Sequence, residues 1–359
     1  MSDIAKIDKN FKVETKIEKT DIKFISALDK CFDIYGVMNT NGEFHRMPRS
    51  VALATNDGVI RLNEHTAGGR IRFKTNSRYV AINAEVSESQ GKMAHITMVG
   101  SSGFDMYLIE DGKAVYFKSF LPVHNFESHF EQIVEFPDNT ERDILIHMPL
   151  YNMCKNLYIG IQNTAYVNNG SKYKHETPIV FLGSSITQGG CASRPGNAYE
   201  NFVSRYFDTD FINLGFSGSC RGEQSICDYI PTLNMSIFVL DYDHNAPSAE
   251  HLENTHEHLF KEFRKVQPDT PVIIMSMTDI PRTAAAVQNT YRRRDIVKRT
   301  YDNAIAAGDK NVYFIDGQEV FKIAGGEDCT VDGCHPNDLG FWCMSRALIK
   351  VIEENKLLG

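Results

Sequence analysis

Residues 179–191 have the sequence Ile-Val-Phe-Leu-Gly-Ser-Ser-Ile-Thr-Gln-Gly-Gly-Cys. The first four residues are apolar and predict a buried strand, and the Gly-Ser-Ser that follows predicts a tight turn at its end. Ligands of open α/β sheets bind beyond the carboxyl ends of the strands, so a serine in this turn is a candidate nucleophile. A serine that caps the next helix is the competing interpretation, and this segment alone does not decide between the two.

Downstream of this segment, short apolar runs alternate with longer helical windows. Strands are predicted at 179–182, 211–214, 237–240, 272–275 and 312–315, and helices at 197–207, 248–266, 283–307 and 338–355. Repeated alternation of strand and helix predicts a parallel sheet with helices on both faces, which is an α/β fold.

Upstream of residue 150 the apolar residues follow a period of two. The segments Ile71–Thr75, Tyr79–Ala84 and Ile144–Met148 alternate in this way, and Asp111-Gly112 is a typical hairpin turn. Short strands separated by turn residues predict an all-β sandwich. Because a polar stretch at 168–176 separates the two patterns, we predict an N-terminal β-sandwich domain over residues 1–170 and an α/β domain over 171–359.

The composition limits the classes of partner. The 359 residues are 42% hydrophobic and 23% charged, with a formal net charge of -8. Nucleic acid is not expected as a partner, because its binding depends on clustered cations, and the short basic run Arg292–Arg294 is expected to be the solvated face of a helix. A charged N-terminus and the lack of a long apolar run predict a cytoplasmic protein with no membrane contact, although a chain without its secretion signal would look the same.

Eight cysteines in a chain of this length do not form the dense pattern of a disulfide scaffold, and we expect reduced thiols. Cys329, Cys334, His335 and Cys343 lie close in sequence and were weighed as a metal site. Their spacing does not match the paired Cys-x-x-Cys arrangement of structural zinc sites, so no metal is expected.

The residues that follow the predicted parallel strands can supply a serine hydrolase site. Ester hydrolysis by a serine needs a base, a carboxylate that holds the base, and donors for the oxyanion. Ser185 would attack, His335 would take the proton, and Asp332 would hold the imidazole. The backbone N–H groups of Ser185 and Gly218 and the amide of Asn245 would form the oxyanion hole.

These segments resemble the four sequence blocks of the SGNH (GDSL-like) hydrolase superfamily. The matching residues are Gly183-Ser184-Ser185-Ile186, Gly218, Asn245 and Asp332-Gly333-Cys334-His335, in the usual order. The resemblance implies a flavodoxin-like hydrolase domain in which Ser185, His335 and Asp332 form the catalytic triad. Two positions depart from the pattern, because Ser184 and Ala246 stand where aspartate is usual.

A second resemblance covers the β half. Ser102-Gly103-Phe104-Asp105-Met106-Tyr107 is similar to the Gly-x-Asp-Leu-Tyr signature of a jelly-roll-like sandwich that precedes one branch of the SGNH hydrolases. Members of such two-domain groups are similar to carbohydrate O-acetyl esterases. The resemblance therefore implies a serine acetylesterase that acts on carbohydrates or oligosaccharides, forms an acyl-enzyme and uses no cofactor.

Three further residues are candidates for substrate binding. Arg194 and Arg221 lie one loop from the proposed nucleophile and oxyanion hole, where a guanidinium could bind sugar hydroxyls, and a structural salt bridge is an equal alternative. Trp342 could offer its ring to a sugar face, but its helical spacing with other apolar residues favours packing in the core.

His244, Asp105 and Tyr107 are expected to be structural. His244 lies beside Asn245, where a place at the rim of the loop is favoured over a chemical role. Asp105 and Tyr107 are expected to hold their own hairpin, although the family resemblance allows the sandwich to lean over the site.

Two other functions remain open from the sequence. A lipid or thioester acyl hydrolase would use the same triad, and a carbohydrate-binding protein with an inert hydrolase half would use the sandwich alone. The oligomeric state also stays open, with a homo-oligomer compatible with the sequence.

Overall fold

The first half of the chain consists mainly of antiparallel strands. The computed structural model describes residues 13–40, 42–86, 93–123 and 127–358. In chain order the strands of this half are β1 (Ile22–Ser26), β2 (Asp33–Tyr35), β3 (Met38–Thr40), β4 (Glu43–His45), β5 (Arg70–Thr75), β6 (Tyr79–Val86), β7 (Phe104–Glu110), β8 (Lys113–Phe120), β9 (His129–Glu135), β10 (Arg142–His147), β11 (Cys154–Gln162) and β12 (Val167–Asn169).

These strands form a sandwich. One sheet has the strand order β1-β11-β6-β9, the other has the order β12-β5-β10-β7-β8 with β2 also paired to β5, and β3 and β4 form a separate hairpin. Alternate residues such as Ile71 and Phe73 of β5 and Ile82 of β6 are buried in the core of the sandwich. The predicted strands at 71–75, 79–84 and 144–148 are confirmed to within two residues.

The predicted hairpin at Asp111-Gly112 connects β7 and β8. Glu110 pairs with Lys113, so the loop has two residues. Asp111 and Gly112 have φ values of 50° and 75°, and positive φ at both positions is what a type I′ turn requires. The dipeptide is therefore the local cause of this connection.

The second half contains a parallel sheet with helices. Its strands are β13 (His175–Gly183), β14 (Thr209–Gly215), β15 (Ile237–Asp241), β16 (Val272–Met275) and β17 (Val312–Ile315). The α-helices in the described parts of both halves are α1 (Arg49–Thr55), α2 (Asp57–Asn63), α3 (Met98–Ser102), α4 (Tyr199–Phe207), α5 (Gln224–Tyr229), α6 (Ala249–Val266), α7 (Ala284–Ala306), α8 (Gly317–Val320) and α9 (Asp338–Glu354). Among the described residues, no helix has the length and apolar character needed to cross a bilayer.

The long helices begin at residues whose side chains cap them. Ser248 Oγ accepts from the His251 N–H at the start of α6, and Thr283 Oγ1 accepts from the Ala286 N–H at the start of α7. Such caps satisfy backbone donors that the helix itself leaves unpaired. They explain why the predicted starts at 248 and 283 lie one residue from the observed helices.

The order of the parallel strands places the site. Neighbouring strands follow the order β14-β13-β15-β16-β17, the flavodoxin-like arrangement. β14 lies on one side of β13, and β15 lies on the other side. The connections that follow β13 and β15 therefore run toward opposite edges of the sheet, and a crevice opens between the carboxyl ends of these two parallel strands. Ser185 lies directly after β13 and therefore at this crevice.

Buried arginines join the sandwich to the parallel-sheet half. Each donates hydrogen bonds to the second half and stacks on an aromatic ring there. Arg46 bonds the Gly215 carbonyl and stacks on Phe216, Arg70 bonds Asp210 and stacks on Phe211, and Arg72 bonds Asp208 and stacks on Tyr173. Guanidinium groups suit such positions because they pair with oxygens in the ring plane and stack through the faces.

The hydrophobic cores also cross the predicted boundary. Met47 and Leu62 pack with Leu214 and Phe238, and Leu150 packs with Phe181. The change from antiparallel to parallel pairing occurs between Asn169 and His175, near the predicted boundary. Division into domains at 170 and 171 stays a prediction, since apolar contacts are continuous across it.

A buried histidine at this junction should make stability depend on pH. His65 accepts at Nδ1 from Gln188 Nε2 at 3.1 Å, and burial lowers the pKa of His65 to about 3. The unfolded chain takes up this proton near pH 6.5 and the folded chain does not, so the stability is complete above that pH and is lost as the pH falls. We expect this histidine to reduce the free energy of unfolding by about 2 kcal/mol between pH 7 and 5.

Urea unfolding at the two pH values measures this effect. His65→Gln should show a smaller difference between pH 7 and pH 5 than the parent protein, because glutamine does not titrate. An equal difference in the two proteins would assign the pH dependence to other groups.

Candidate active site

Ser185 lies in a turn that only glycine can begin. A Cβ on Gly183 would lie 1.9 Å from Thr187 Oγ1 and 2.5 Å from the Asp241 carbonyl oxygen, which is closer than atoms can approach. The backbone of β13 therefore runs tightly against β15 before it turns. The side chain of Ser184 is buried and its Oγ accepts from the Ile186 N–H at 3.2 Å. The turn is thus held from inside, and Ser185 is the partly exposed serine of the pair.

The structure brings Ser185, His335 and Asp332 together. Ser185 Oγ lies 2.9 Å from His335 Nε2, and His335 Nδ1 lies 2.8 Å from Asp332 Oδ2. The two hydrogen bonds connect the hydroxyl, the imidazole and the carboxylate in one line across 150 residues of sequence. This geometry allows the imidazole to accept the serine proton while the carboxylate holds its other nitrogen.

Backbone donors keep Asp332 ionised. Burial opposes the charge, but hydrogen bonds from the His335 N–H at 2.8 Å, the His335 imidazole and the Cys334 N–H at 3.0 Å outweigh it and lower the pKa of Asp332 to about 2. The carboxylate is therefore negative at neutral pH. A negative charge at this place favours the imidazolium that forms when His335 takes a proton.

Gly218 and Asn245, the two other residues of the predicted oxyanion hole, are in contact, and the Gly218 N–H is hydrogen-bonded to Asn245. The Gly218 N–H donates to Asn245 Oδ1 at 2.9 Å, and Asn245 Nδ2 donates to the Phe216 carbonyl at 2.8 Å. If the amide were flipped, its NH₂ group would face the Gly218 N–H and its oxygen would face the Phe216 carbonyl oxygen. Both contacts would be repulsive, so these neighbours determine the orientation of the Asn245 amide. Asn245 Nδ2 also reaches the Gly183 carbonyl oxygen at 3.5 Å, a long contact that an oxyanion could replace.

Arg293 supports the loop that carries Asn245. It is buried and donates to the carbonyl oxygens of Asp243 and Ala246 at 2.9 Å each. The prediction that the run Arg292–Arg294 is a solvated face is wrong at this position, because these carbonyls attract the guanidinium into the protein. The sequence of three consecutive arginines does not indicate which of the three side chains is buried.

Arg194 is held by the sandwich. Its Nη1 donates to Asp105 Oδ2 at 2.7 Å and to the Tyr107 hydroxyl at 2.5 Å, and its guanidinium lies 4.0 Å from the centre of the Tyr116 ring. The Gly196 N–H also donates to Asp105 Oδ2, at 2.8 Å. Of the two interpretations of Arg194, these contacts support the salt bridge.

Asp105 and Tyr107, which were expected to hold their own hairpin, also reach across to the second half of the chain. Both side chains bind the loop that follows Ser185. Asp105 also accepts from His147 Nδ1 at 2.7 Å, and although burial opposes the charge, His147 and Arg194 together lower the pKa of Asp105. The motif Gly-x-Asp-x-Tyr thus acts between the two halves of the chain.

Arg221 and Trp342, the two other candidates for substrate binding, lie outside the catalytic triad. Arg221 Nη2 donates to the Gly218 carbonyl at 3.0 Å from an exposed position beside the oxyanion residues. The Trp342 side chain is 43% exposed, so the prediction that it packs in the core is wrong. Its neighbours Phe341 and Cys343 are among the residues of α9 that are buried in the core instead. Substrate binding by Arg221 or Trp342 stays a prediction.

The side chain of His244 is only 7% exposed, which differs from the rim position expected for it. Its Nε2 lies 2.9 Å from Asp279 Oδ1 and its Nδ1 lies 3.3 Å from Asp243 Oδ1. Burial alone would lower the pKa of His244, but the two carboxylates outweigh it and raise the pKa well above the ordinary value. The charged imidazole connects the Asn245 loop to the Asp279 loop.

The four residues weighed as a metal site are separated by their roles. His335 contacts Ser185 and Asp332, whereas Cys334 contacts His244 and Asp279. Cys329 and Cys343 are buried next to each other in the core. The set is therefore divided among three different environments.

Two residues near the nucleophile gave no signal in the sequence. The Tyr151 hydroxyl donates to the Ser185 carbonyl at 2.8 Å, and the ring centre of His95 lies 5.5 Å from that of His335. Both come from the sandwich half, far from the hydrolase blocks in sequence. Only the association of the two halves identifies them.

Comparison with protein families gives two matches. Residues 176–353 match the model of the GDSL-like lipase/acylhydrolase family, and residues 22–167 match the model described as the N-terminus of SGNH-hydrolase-type esterases. Among curated proteins, no sequence matches this chain.

Solved structures show the same two-part fold. A protein of Bacteroides ovatus ATCC 8483 described as a GDSL-like lipase is 29% identical, with 93% of this chain and 97% of that chain covered and a TM-score of 0.84. The salicylyl-acyltransferase SsfX3 from a tetracycline biosynthetic pathway is 16% identical over 95% of this chain and 99% of its own, with a TM-score of 0.78. An acetyl xylan esterase of Butyrivibrio proteoclasticus is 10% identical over 95% of this chain and 100% of its own, with a TM-score of 0.58.

Proposed function

This chain belongs to the GDSL-like lipase/acylhydrolase family, and we propose that it is a serine esterase that removes small acyl groups, with acetyl as the expected group, from hydroxyls of carbohydrates or oligosaccharides. The observation that carries the proposal is the pair of hydrogen bonds from Ser185 Oγ to His335 Nε2 at 2.9 Å and from His335 Nδ1 to Asp332 Oδ2 at 2.8 Å.

The reaction would proceed through an acyl-enzyme. His335 Nε2 takes the Ser185 proton as Oγ attacks the ester carbonyl, and the imidazolium then gives that proton to the leaving sugar hydroxyl. A water molecule, deprotonated by His335, attacks the acyl group and releases the acid and the free serine. Asp332 holds the imidazole in the tautomer that this sequence needs. Side chains and water supply every proton and electron pair.

The oxyanion of each tetrahedral intermediate would lie among three donors. These are the N–H groups of Ser185 and Gly218 and the side-chain amide of Asn245. The Gly218 N–H donates to Asn245 Oδ1 in this structure, so it must turn toward the substrate or share its hydrogen as charge develops. The Asn245 amide would exchange only its 3.5 Å contact with the Gly183 carbonyl for the oxyanion.

Asn245→Ala should lower kcat by about 10²- to 10³-fold, because it removes a donor that acts when negative charge develops. KM should change much less, since the ground-state carbonyl carries little charge. Steady-state hydrolysis of p-nitrophenyl acetate measures both constants. A kcat within a few-fold of the parent would remove Asn245 from the oxyanion hole.

The choice of acyl group and alcohol is supported by likeness only. The acetyl xylan esterase of Butyrivibrio proteoclasticus shares the two-part fold, and so does an acyltransferase, so the fold alone leaves the substrate open. The family resemblance of the Gly-x-Asp-x-Tyr segment at 103–107 adds a link to carbohydrate esterases.

Two assays test the proposal. Rates on p-nitrophenyl esters from acetyl to octanoyl should be highest for acetyl, and mass spectrometry should detect loss of acetyl groups from acetylated oligosaccharides. A preference for octanoyl would favour the lipid or thioester hydrolase. Glycan binding by the full chain without any hydrolysis would favour the non-catalytic carbohydrate-binding protein.

A further inference from the structure

A histidine of the sandwich half lies against the proposed catalytic pair. The ring centres of His95 and His335 are 5.5 Å apart, with 45° between the ring planes. One ligand atom each of His95, His335 and Asp332 lie within 4.8 Å of one another. His95 is exposed, so its side chain can turn without displacing other groups.

The backbone around His95 is fixed to the hydrolase half. Ile96 is 7% exposed and packs in the same core cluster as Ile186 and Ala192. Thr97 Oγ1 donates to the Ser193 carbonyl at 2.8 Å. Because the two residues after His95 are both anchored to the loop that follows Ser185, the backbone of His95 is held near His335 while its side chain can turn.

We propose that His95, His335 and Asp332 form an inhibitory site for Zn²⁺ at the mouth of the active site. Two imidazoles and one carboxylate are ligands that Zn²⁺ prefers, and three protein ligands leave a position for water. Zinc–ligand distances of about 2.0–2.2 Å place ligand atoms roughly 3.4 Å from one another in a tetrahedron. His335 Nδ1 and Asp332 Oδ2 lie 2.8 Å apart, so the metal would replace the hydrogen between them, and the exposed His95 side chain would turn to supply the third ligand.

The other clusters of the same kind suit a cation less well. Within the described residues, two more groups of three come together, and both include His244. That imidazole lies between the carboxylates of Asp243 and Asp279, which keep it protonated on both nitrogens. A protonated ring has no lone pair to give to a metal.

Occupancy of the site would stop turnover. A metal shared by His335 and Asp332 would bind His335 Nδ1, the nitrogen that faces Asp332, and would leave the ring proton on Nε2, so Nε2 could no longer accept the Ser185 proton. This consequence rests on the proposed function, whereas the binding of Zn²⁺ does not. Because the ligands are two triad members and one residue of the other half, the inhibition should be reversible with a chelator.

Titration of the protein with Zn²⁺ alone tests the proposal. Isothermal titration calorimetry should show that the parent and His258→Gln proteins each bind one Zn²⁺ per chain. In His95→Gln this binding should be lost, or its affinity should fall at least about tenfold. His258 is a matched control, since it is an exposed histidine on α6 that contacts Gln224. Mg²⁺ should give no such heat, because it prefers oxygen ligands.

Inhibition supplies the second measurement. The Zn²⁺ concentration that halves the rate on p-nitrophenyl acetate, relative to each variant's own rate with EDTA, should rise at least about tenfold in His95→Gln. Equal Zn²⁺ affinity of the parent and His95→Gln would overturn the inference even if both are active. Zinc binding that depends on His95 in a protein without esterase activity would instead overturn the proposed function alone.

Discussion

Ser185→Ala should lower kcat on p-nitrophenyl acetate by roughly 10⁴-fold or more, because it removes the atom that attacks the carbonyl. The hydroxyl lies 2.9 Å from His335 Nε2, and no water held at that place can form the acyl-enzyme. Binding of substrate should change little, since KM depends on groups that the substitution leaves in place. The free energy of unfolding should also stay close to that of the parent.

Ser184→Ala is the matched control for this prediction. Its hydroxyl is buried and accepts from the Ile186 N–H, so it has no access to a substrate. Its kcat should stay within a few-fold of the parent. Single-turnover assays on both variants separate acyl-enzyme formation from product release. Wild-type turnover by Ser185→Ala would end the assignment of the nucleophile.

Asp105→Asn should reduce the free energy of unfolding by about 3–5 kcal/mol, the usual cost of removing one partner from a buried charge pair. The Asp105 carboxylate is fully buried and accepts from Arg194, His147 and the Gly196 N–H. An asparagine offers one oxygen and an NH₂ group, so at least one of these three donors loses its acceptor. The guanidinium of Arg194 then stays half-buried without its counter-charge.

Urea unfolding at pH 7 measures this loss. Asp138→Asn serves as the control, because its pair with Arg142 lies at an exposed turn and should contribute little. The control should unfold at the same urea concentration as the parent. If Asp105→Asn did the same, the contact between the sandwich and the Arg194 loop would not stabilise the protein.

Apolar runs predicted the strands of the parallel sheet well, whereas the short helices were missed. The strands at 272–275 and 312–315 match the structure at both ends. The helices α2 and α5 have 7 and 6 residues and were not predicted. Such helices are too short to show a 3.6-residue pattern, and contacts with the rest of the protein hold them in place. Leu62 of α2, for example, lies in a core cluster with residues of the second half.

The contacts between the halves were the part that the sequence did not indicate. Asp105 and Tyr107 form part of a recognisable motif, yet the motif does not state that their partner is Arg194. His95 lies near no motif at all. Both cases depend on how one folded half meets the other, and pairing over such distances leaves no local pattern of residues.

By itself, the sequence determined the order of sandwich and parallel sheet, the strand ends near which Ser185, Gly218 and Asn245 lie, and the position of His335 just before the last helix. Local physics is sufficient there, because hydrophobic period, turn residues and caps act within a few positions of one another. Tertiary structure alone decided that Ser185 Oγ lies 2.9 Å from His335 Nε2, that Asp105 binds Arg194, and that His95 lies beside His335. These relations arise from packing between distant segments, which gains free energy only when the whole core closes.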